Sequence, residues 1–155
     1  MTPSVLFVCL GNICRSPLAE GIFRRMAAEQ GVEVEIDSAG TGDWHLGHAP
    51  DHRAQAVADK NGLDISALRA RLVTPEDFRR FDHIVAMDAS NLANLEAMRP
   101  DDASATLARL LDFADGVDLI DVPDPYQGGP EGFDETFRLV EAGAKGLLDA
   151  IRERS

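Results

Sequence analysis

The sequence predicts an α/β fold: a doubly wound domain in which a parallel sheet is flanked by helices on both faces. Three observations predict it. Residues 4–8 and 83–87 are short, largely apolar and rich in β-branched side chains, the composition of strands buried on both faces. Segments with apolar residues at helical spacing lie between and after them, and such alternation builds a parallel sheet with helical crossovers. The chain has 155 residues and no internal repeat, low-complexity tract or Gly/Ser/Pro-rich linker, so a single domain over 1–155 is expected.

The elements follow in order. After the strand at 4–8 and the pair Gly11-Asn12, Leu18, Ala19, Ile22, Phe23, Met26 and Ala27 recur at helical spacing. Ser16 suits the N-cap of that helix, Pro17 its first position and Gly31 its end. Residues 32–39 read as a second strand, with Val32, Val34 and Ile36 alternating against Glu33, Glu35 and Asp37. Residues 40–51 form a loop that holds Trp44, the only tryptophan. A helix over 53–61 stops at Gly62, and Thr74-Pro75-Glu76-Asp77 is a helix start, with a cap, a proline and early acids. The third strand, 83–87, leads into a helix over 88–98 capped by Asp88 or Ser90, and 106–111 supply a short fourth strand. A loop rich in proline and glycine covers 121–132. The last helix, 134–152, is amphipathic, with Phe137, Val140, Leu147, Leu148 and Ile151 as its apolar stripe. In such folds the ligand sits outside the carboxyl ends of the strands.

Charge and composition exclude several classes. Fifteen basic against 27 acidic residues give a net charge of −12, which argues against a general nucleic-acid binder and a polybasic membrane anchor. An anion pocket is still compatible, because local dipoles set it rather than the sum of charges. Cys9 and Cys14 are too few and too close for a disulfide scaffold. No segment has the features of a signal peptide or approaches the ~20 apolar residues of a membrane span, so a cytoplasmic location is expected. Glu29, Glu33, Glu35 and Asp37, and likewise Asp112, Asp115 and Asp118, read as solvated surface that repels acidic substrates.

The chemistry concentrates between the first strand and its helix, in Cys9-Leu10-Gly11-Asn12-Ile13-Cys14-Arg15-Ser16. A helix N-terminus offers unsatisfied N–H groups and partial positive charge, and a loop with inward-pointing amides deepens it into an anion nest. Gly11 and Asn12 tolerate the unusual backbone angles that such a loop needs. Arg15 adds a planar fork for two oxygens of a tetrahedral anion. A thiol at Cys9, beneath that potential, is expected to be largely thiolate, its pKa depressed by ~2–4 units, with the Ser16 hydroxyl stabilising it further. An oxyanion pocket floored by a thiolate points to in-line attack on phosphorus and a phosphocysteine, with Arg15 and the amides stabilising the equatorial oxygens. These groups supply the positive charge, so neither a metal nor another cofactor is required.

The segment from Val8 to Pro17 resembles the phosphate-binding loop of the low-molecular-weight protein tyrosine phosphatases. The resemblance continues through Asp37-Ser38-Ala39-Gly40-Thr41, Trp44, Asp51, Arg53-Ala54, Phe81-Asp82, Met87-Asp88, Asn91-Leu92 and Val122-Pro123-Asp124-Pro125-Tyr126, and so spans nearly the whole chain. It implies a four-stranded parallel sheet, a cytoplasmic enzyme and metal-independent hydrolysis of protein phosphotyrosine by a cysteine nucleophile. Phosphate and other oxyanions are then expected as inhibitors.

A phenolate leaves poorly unless protonated, so a general acid is expected, worth about 10²–10⁴-fold in rate. Asp124, between two prolines that fix the local backbone, and Asp121 both fit by spacing alone. The family motif selects Asp124, which directly precedes Pro-Tyr. Trp44 and Tyr126 lie in loops and either cap the edge of the core or wall a slot for a phenyl ring. The resemblance places both at the cleft rim with Leu10 and Ile13. Cys14, five positions after Cys9, either packs the loop or bonds to Cys9 on oxidation; the resemblance implies reversible inactivation through that pair. His45, His48 and His52 crowd one loop without a known metal-ligand spacing and read as solvated.

The chain also departs from the family. Leu68 stands where a histidine usually supports the loop asparagine, Leu72 where glutamine is common, and Gln127 where animal members carry a second tyrosine that is a phosphorylation site. Three other functions fit the scaffold. An arsenate reductase needs further redox cysteines, and none follows Cys14. Phosphoarginine phosphatases tend to carry threonine at the position of Ile13. A non-catalytic phosphotyrosine-binding module is expected to have lost Cys9, Arg15 or Asp124, and all three are present.

Overall fold

The computed structural model describes residues 2–126 and 128–154. Strand β1 (Ser4–Cys9) is fully buried, as its apolar run requires. Helix α1 (Arg15–Glu29) follows, then β2 (Glu35–Gly40), α2 (His52–Lys60), the single turn α3 (Asp77–Arg80), β3 (His83–Ala86), α4 (Ala89–Met98), β4 (Thr106–Arg109) and α5 (Pro130–Arg154). The four strands form one parallel sheet in the order β2-β1-β3-β4. The expected four-stranded doubly wound architecture is therefore what the chain adopts.

Alternation along β1 divides the interior in two. Val5, Phe7 and Cys9 face a core shared with α1, α2 and α5, whereas Leu6 and Val8 face a second core with Phe78, Phe81 and Leu95. The chain leaves β1 toward one face and β3 toward the other. The carboxyl ends of these adjacent strands thus flank the topological switch point, where such folds place their ligands.

Several boundaries differ from expectation. Ser16 does not cap α1; the helix begins one residue earlier, at Arg15, and Cys14 occupies the cap position without a side-chain bond. The Ser16 hydroxyl is engaged instead by Asn12 and Cys9. The second strand starts at Glu35 rather than residue 32, since Val32 and Val34 only pack against the core from outside the ladder. The helix begun at residue 74 lasts one turn, Asp77 rather than Thr74 acting as acceptor for the Thr74 amide. The fourth strand ends at Arg109 and tightens into a 3-10 turn over Leu110–Phe113. The last helix starts at Pro130, four residues earlier than its apolar stripe indicates, because proline suits a first helical position. Of the two candidate caps for α4, Asp88 is the one used, accepting from the Asn91 amide at 2.7 Å.

Candidate active site

The loop from Cys9 to Arg15 crosses the carboxyl end of β1. Its carbonyls are tied outward: Cys9 O accepts from the Thr41 amide at 3.0 Å, Leu10 O from Gly42 at 2.9 Å and Ile13 O from Asp51 at 2.8 Å. Among the described residues, the amides of Leu10 to Arg15 donate to no protein acceptor. A ring of donors is thus left for an anion at the start of α1. Asn12 takes the left-handed backbone conformation at φ 56°, one of the two positions where that was expected. Gly11 has a different need: a Cβ there would meet the His45 ring at 3.0 Å.

Gly40, at the end of β2, is the closest packing constraint on the loop. A Cβ on it would lie 2.7 Å from Leu10 O and 3.2 Å from the Asn12 amide nitrogen. In the sequence Gly40 stands out only as part of a motif; the pairing of Cys9 with Gly40 in the sheet is what gives it this place.

Cys9 is buried at the floor, with its Sγ 3.0 Å from Ser16 Oγ. Arg15 is 2% exposed and so is not a surface helix residue. Its Nη1 donates to Asp88 Oδ2 at 2.6 Å and to Val122 O at 2.9 Å, and its Nη2 lies 3.7 Å from Asp124 Oδ2. Burial works against the charge on Arg15. The negative charge at Cys9, with Asp88 and Asp124, outweighs that penalty and holds the guanidinium proton more tightly than usual.

The two candidate acids separate cleanly. Asp121 Oδ1 accepts from the Ala89 amide at 2.9 Å and is committed to the start of α4. Asp124 is exposed, accepts from the Tyr126 amide at 3.1 Å and faces Arg15. The loop that carries it is strapped by Arg53, which donates to Tyr126 O at 2.9 Å and to Gly128 O at 3.1 Å. Asp51 holds Arg53 through both carboxylate oxygens, at 3.1 Å each. Burial raises the Asp51 pKa, but its bonds to Arg53 bring it below the usual carboxylate value.

Around the mouth, Tyr126 and Leu10 are each 40% exposed, Trp44 is 67% exposed and Ile13 is buried. The Trp44 ring folds back over Gly42 instead of entering the core. His45, expected to be solvated, is half-buried, with its ring against Gly11 and 5.9 Å from that of Tyr126. No spacing signal marked it, because the contact depends on how the 40–51 loop folds back. Among the described residues, no group of His, Cys, Asp and Glu side chains is arranged to hold a metal ion.

Cys14 is a buried free thiol next to this site. Burial pushes its pKa up, Asp51, Cys9 and Asp124 push the same way, and Arg53 pulls back only in part.

With leucine at 68, Asn12 is supported by other groups. Its Nδ2 donates to Ser16 Oγ at 2.8 Å and to Ser38 Oγ at 3.0 Å, and its Oδ1 accepts from the Arg71 amide at 3.0 Å. Arg71 is fixed in turn by Asp37 and Asp77 at 3.0 Å, so Asp37 belongs to this support and not to a solvated acidic face. Leu72 joins Gly40 in an isolated parallel bridge, a backbone role that does not need glutamine. Gln127 lies outside the described residues.

Known proteins are similar to this chain in sequence and in fold. The family model described as low molecular weight phosphotyrosine protein phosphatase matches residues 4–155. The low molecular weight protein-tyrosine-phosphatase YfkJ of Bacillus subtilis is 45% identical over 152 residues, covering 97% of this chain and 96% of its own. A protein tyrosine phosphatase from Entamoeba histolytica, solved with Hepes in the active site, superposes with a TM-score of 0.94 at 34% identity, with 98% of each chain covered. The Drosophila arginine phosphatase superposes at 0.90 with 31% identity, covering 95% of this chain and 96% of that one. With its loop, its strand order and a family match over nearly its whole length, the chain belongs to the low-molecular-weight protein tyrosine phosphatases.

Proposed function

We propose that the chain hydrolyses phosphotyrosine in proteins through a phosphocysteine formed on Cys9. The phosphate enters the ring of loop amides between Leu10 and Ser16, and the Arg15 guanidinium takes two of its oxygens. Cys9 Sγ attacks phosphorus in line; the S–P bond forms as the P–O bond to the phenol breaks. Asp124 gives its proton to the departing oxygen. The resulting Asp124 carboxylate then takes a proton from water, whose oxygen attacks the phosphocysteine and releases phosphate and the thiolate. Developing charge on the equatorial oxygens is met by donors already in place, the source of most electrostatic catalysis.

What carries this assignment is the position of Arg15: nearly excluded from solvent, next to Cys9, and 3.7 Å from the one exposed carboxylate in the adjoining proline-flanked loop. Leu10, Ile13, Trp44 and Tyr126 line the approach in this reading and give it the depth that a phenyl phosphate spans and a serine phosphate does not. The Hepes in the Entamoeba relative, a sulfonate, is consistent with an oxyanion pocket.

The Cys9→Ser variant is expected to lose turnover of p-nitrophenyl phosphate while still binding inorganic phosphate; retained turnover refutes the assignment of Cys9. The structural likeness to an arginine phosphatase supports phosphoarginine as the second substrate class. A panel of phosphotyrosine, phosphoserine and phosphoarginine peptides separates the two, with phosphotyrosine expected to be hydrolysed fastest because the bulkier Ile13 favours the aryl ester. Activity is expected in the cytoplasm and without a metal, so that a chelator leaves the rate unchanged.

A further inference from the structure

Leu119 and Ile120 are adjacent, 46% and 54% exposed, and part of neither core. Leu10, Trp44 and Tyr126, which are also exposed, stand around the mouth of the site, whereas Leu119 and Ile120 have no part in the mechanism above. Single exposed apolar residues are ordinary; neighbouring large ones rimmed by charge mark a surface that another molecule covers.

Their position is fixed from the site outward. The Val122 carbonyl accepts from Arg15 at 2.9 Å, and the Val122 amide donates to Met87 O at 2.8 Å. The Asp121 carboxylate receives the Ala89 amide at 2.9 Å, at the start of α4. Ile120 comes next along the chain, so the pair lies within about 10 Å of the residue that holds Arg15, a distance that an extended peptide covers in about three residues. The residues that flank a phosphotyrosine in the pocket are therefore within reach of Leu119 and Ile120.

Charge selects what those flanking residues are. Between Arg109 and Arg138 the chain carries no lysine or arginine, and α4 carries none either. Asp115 and Asp118 are exposed beside the pair. Arg15 is buried against Asp88, and Arg109 is paired with Asp112 at 3.3 Å. The field over this side of the mouth is negative.

We propose that Leu119 and Ile120, with Asp115 and Asp118, form a docking surface for the chain that flanks the phosphotyrosine of a protein substrate, and that it takes an apolar side chain next to a lysine or arginine. This rests on the phosphotyrosine reading above. A second copy of the chain is the wrong occupant: a symmetric contact through this pair brings the same aspartates of two molecules together, each of net charge −12.

The test uses two phosphotyrosine peptides, alike except for the residues two to four positions from the phosphotyrosine on both sides. One has leucine and lysine there, the other serine and glutamate. The leucine-lysine peptide is expected to have the higher kcat/KM by about tenfold at low ionic strength, and added salt to narrow the gap. In the Leu119→Ser/Ile120→Ser variant, KM for that peptide is expected to rise about tenfold with kcat unchanged, because the contact is the same in ground and transition states. The Asp115→Asn/Asp118→Asn variant is expected to lose most of the salt-dependent part of the preference. Turnover of p-nitrophenyl phosphate, which has no flanking residues, is expected to stay at the wild-type level in both variants. A wild-type KM for the peptide in the Leu119→Ser/Ile120→Ser variant, or a preference for the glutamate peptide, overturns the proposal. So does a wild-type dimer in ultracentrifugation that this variant dissociates, which assigns the pair to contact between copies. If the double variant also loses p-nitrophenyl phosphate turnover, Leu119→Ser and Ile120→Ser decide singly, each expected to raise the peptide KM about threefold. A wild-type protein that hydrolyses neither peptide nor p-nitrophenyl phosphate refutes the phosphatase reading instead.

Discussion

Asp88 serves two elements at once: its Oδ2 receives Arg15 Nη1 at 2.6 Å, while its Oδ1 accepts from the Asn91 amide at 2.7 Å and starts α4. The two jobs can be separated by substitution. Asp88→Ala removes both and leaves the buried Arg15 without its closest counter-charge, an expected loss of about 3 kcal/mol. Asp88→Asn keeps a capping acceptor and loses the charge, so about 2 kcal/mol of that loss is expected to remain. Urea unfolding of the two variants measures the difference. In both, competitive inhibition by inorganic phosphate is expected to weaken, because the guanidinium is no longer held toward the loop. Unchanged phosphate inhibition in both variants contradicts the role given to Arg15.

Asp121 and Asp124, only three positions apart, predict opposite phenotypes. Asp124→Asn is expected to slow aryl phosphates with poor leaving groups most, by about 10²–10⁴-fold, and good leaving groups least. Asp121→Asn keeps an acceptor for the Ala89 amide and is expected to leave the leaving-group dependence unchanged. Rates across a series of substituted phenyl phosphates test both at once. Uniform slowing of the series by Asp124→Asn counts against its role as an acid.

Much of the fold and the centre of the site were legible in the sequence. The apolar runs at β1 and β3 have no polar alternation, so both faces had to be buried, and a parallel sheet followed. The glycine-asparagine pair marked the loop, because few residue types take φ 56°. What was not legible depends on contacts between distant segments. Ser16 looks like a cap from its neighbours alone, yet its hydroxyl is bound to Asn12 and Cys9. Glu20 and Ser38 are ordinary polar residues on a helix and a strand until the packing of α1 on β2 brings them within 2.7 Å. His45 is likewise ordinary until the 40–51 loop folds over Gly11. Only the resemblance to a family separated Asp124 from Asp121 by sequence; the reason visible in the structure is the commitment of Asp121 to α4.

Gly40 is expected to be intolerant of even the smallest side chain. A methyl group there meets Leu10 O at 2.7 Å, and that atom is backbone, with no flexible side chain to yield. Either β2 moves outward or the loop does. Because β2 is an edge strand and the loop is anchored through Asn12 to Ser38 on that same strand, both are expected to shift together. Gly40→Ala should therefore lower kcat/KM by well over tenfold while costing only about 1–3 kcal/mol of stability, the range for overpacking. Activity and thermal unfolding measured on one preparation distinguish this from general misfolding, which lowers both together. A fully active Gly40→Ala protein contradicts the close approach.

The raised pKa of Cys14 gives a sign to the pH dependence of oxidation. Peroxide is expected to convert the Cys9 thiolate to a sulfenic acid; the Cys14 thiolate then attacks that sulfur, the S–S bond forms as the S–O bond breaks, and the oxygen leaves as hydroxide, which takes a proton from solvent. The second step needs Cys14 ionised. Burial, with Asp51 and Asp124, keeps it a thiol well above the usual titration range of cysteine. Across neutral and mildly alkaline pH the thiolate fraction therefore rises about tenfold per unit, and closure of the Cys9–Cys14 bond is expected to accelerate in step. At lower pH the sulfenic acid persists long enough to be trapped by dimedone or oxidised further to sulfinate. Asp51→Asn retains an acceptor for α2 and removes one of the charges that oppose ionisation, so it is expected to speed closure at a fixed pH. Mass spectrometry of the trapped and crosslinked species against pH reads this directly. Closure that is independent of pH, or unaffected by Asp51→Asn, contradicts control by the Cys14 thiolate.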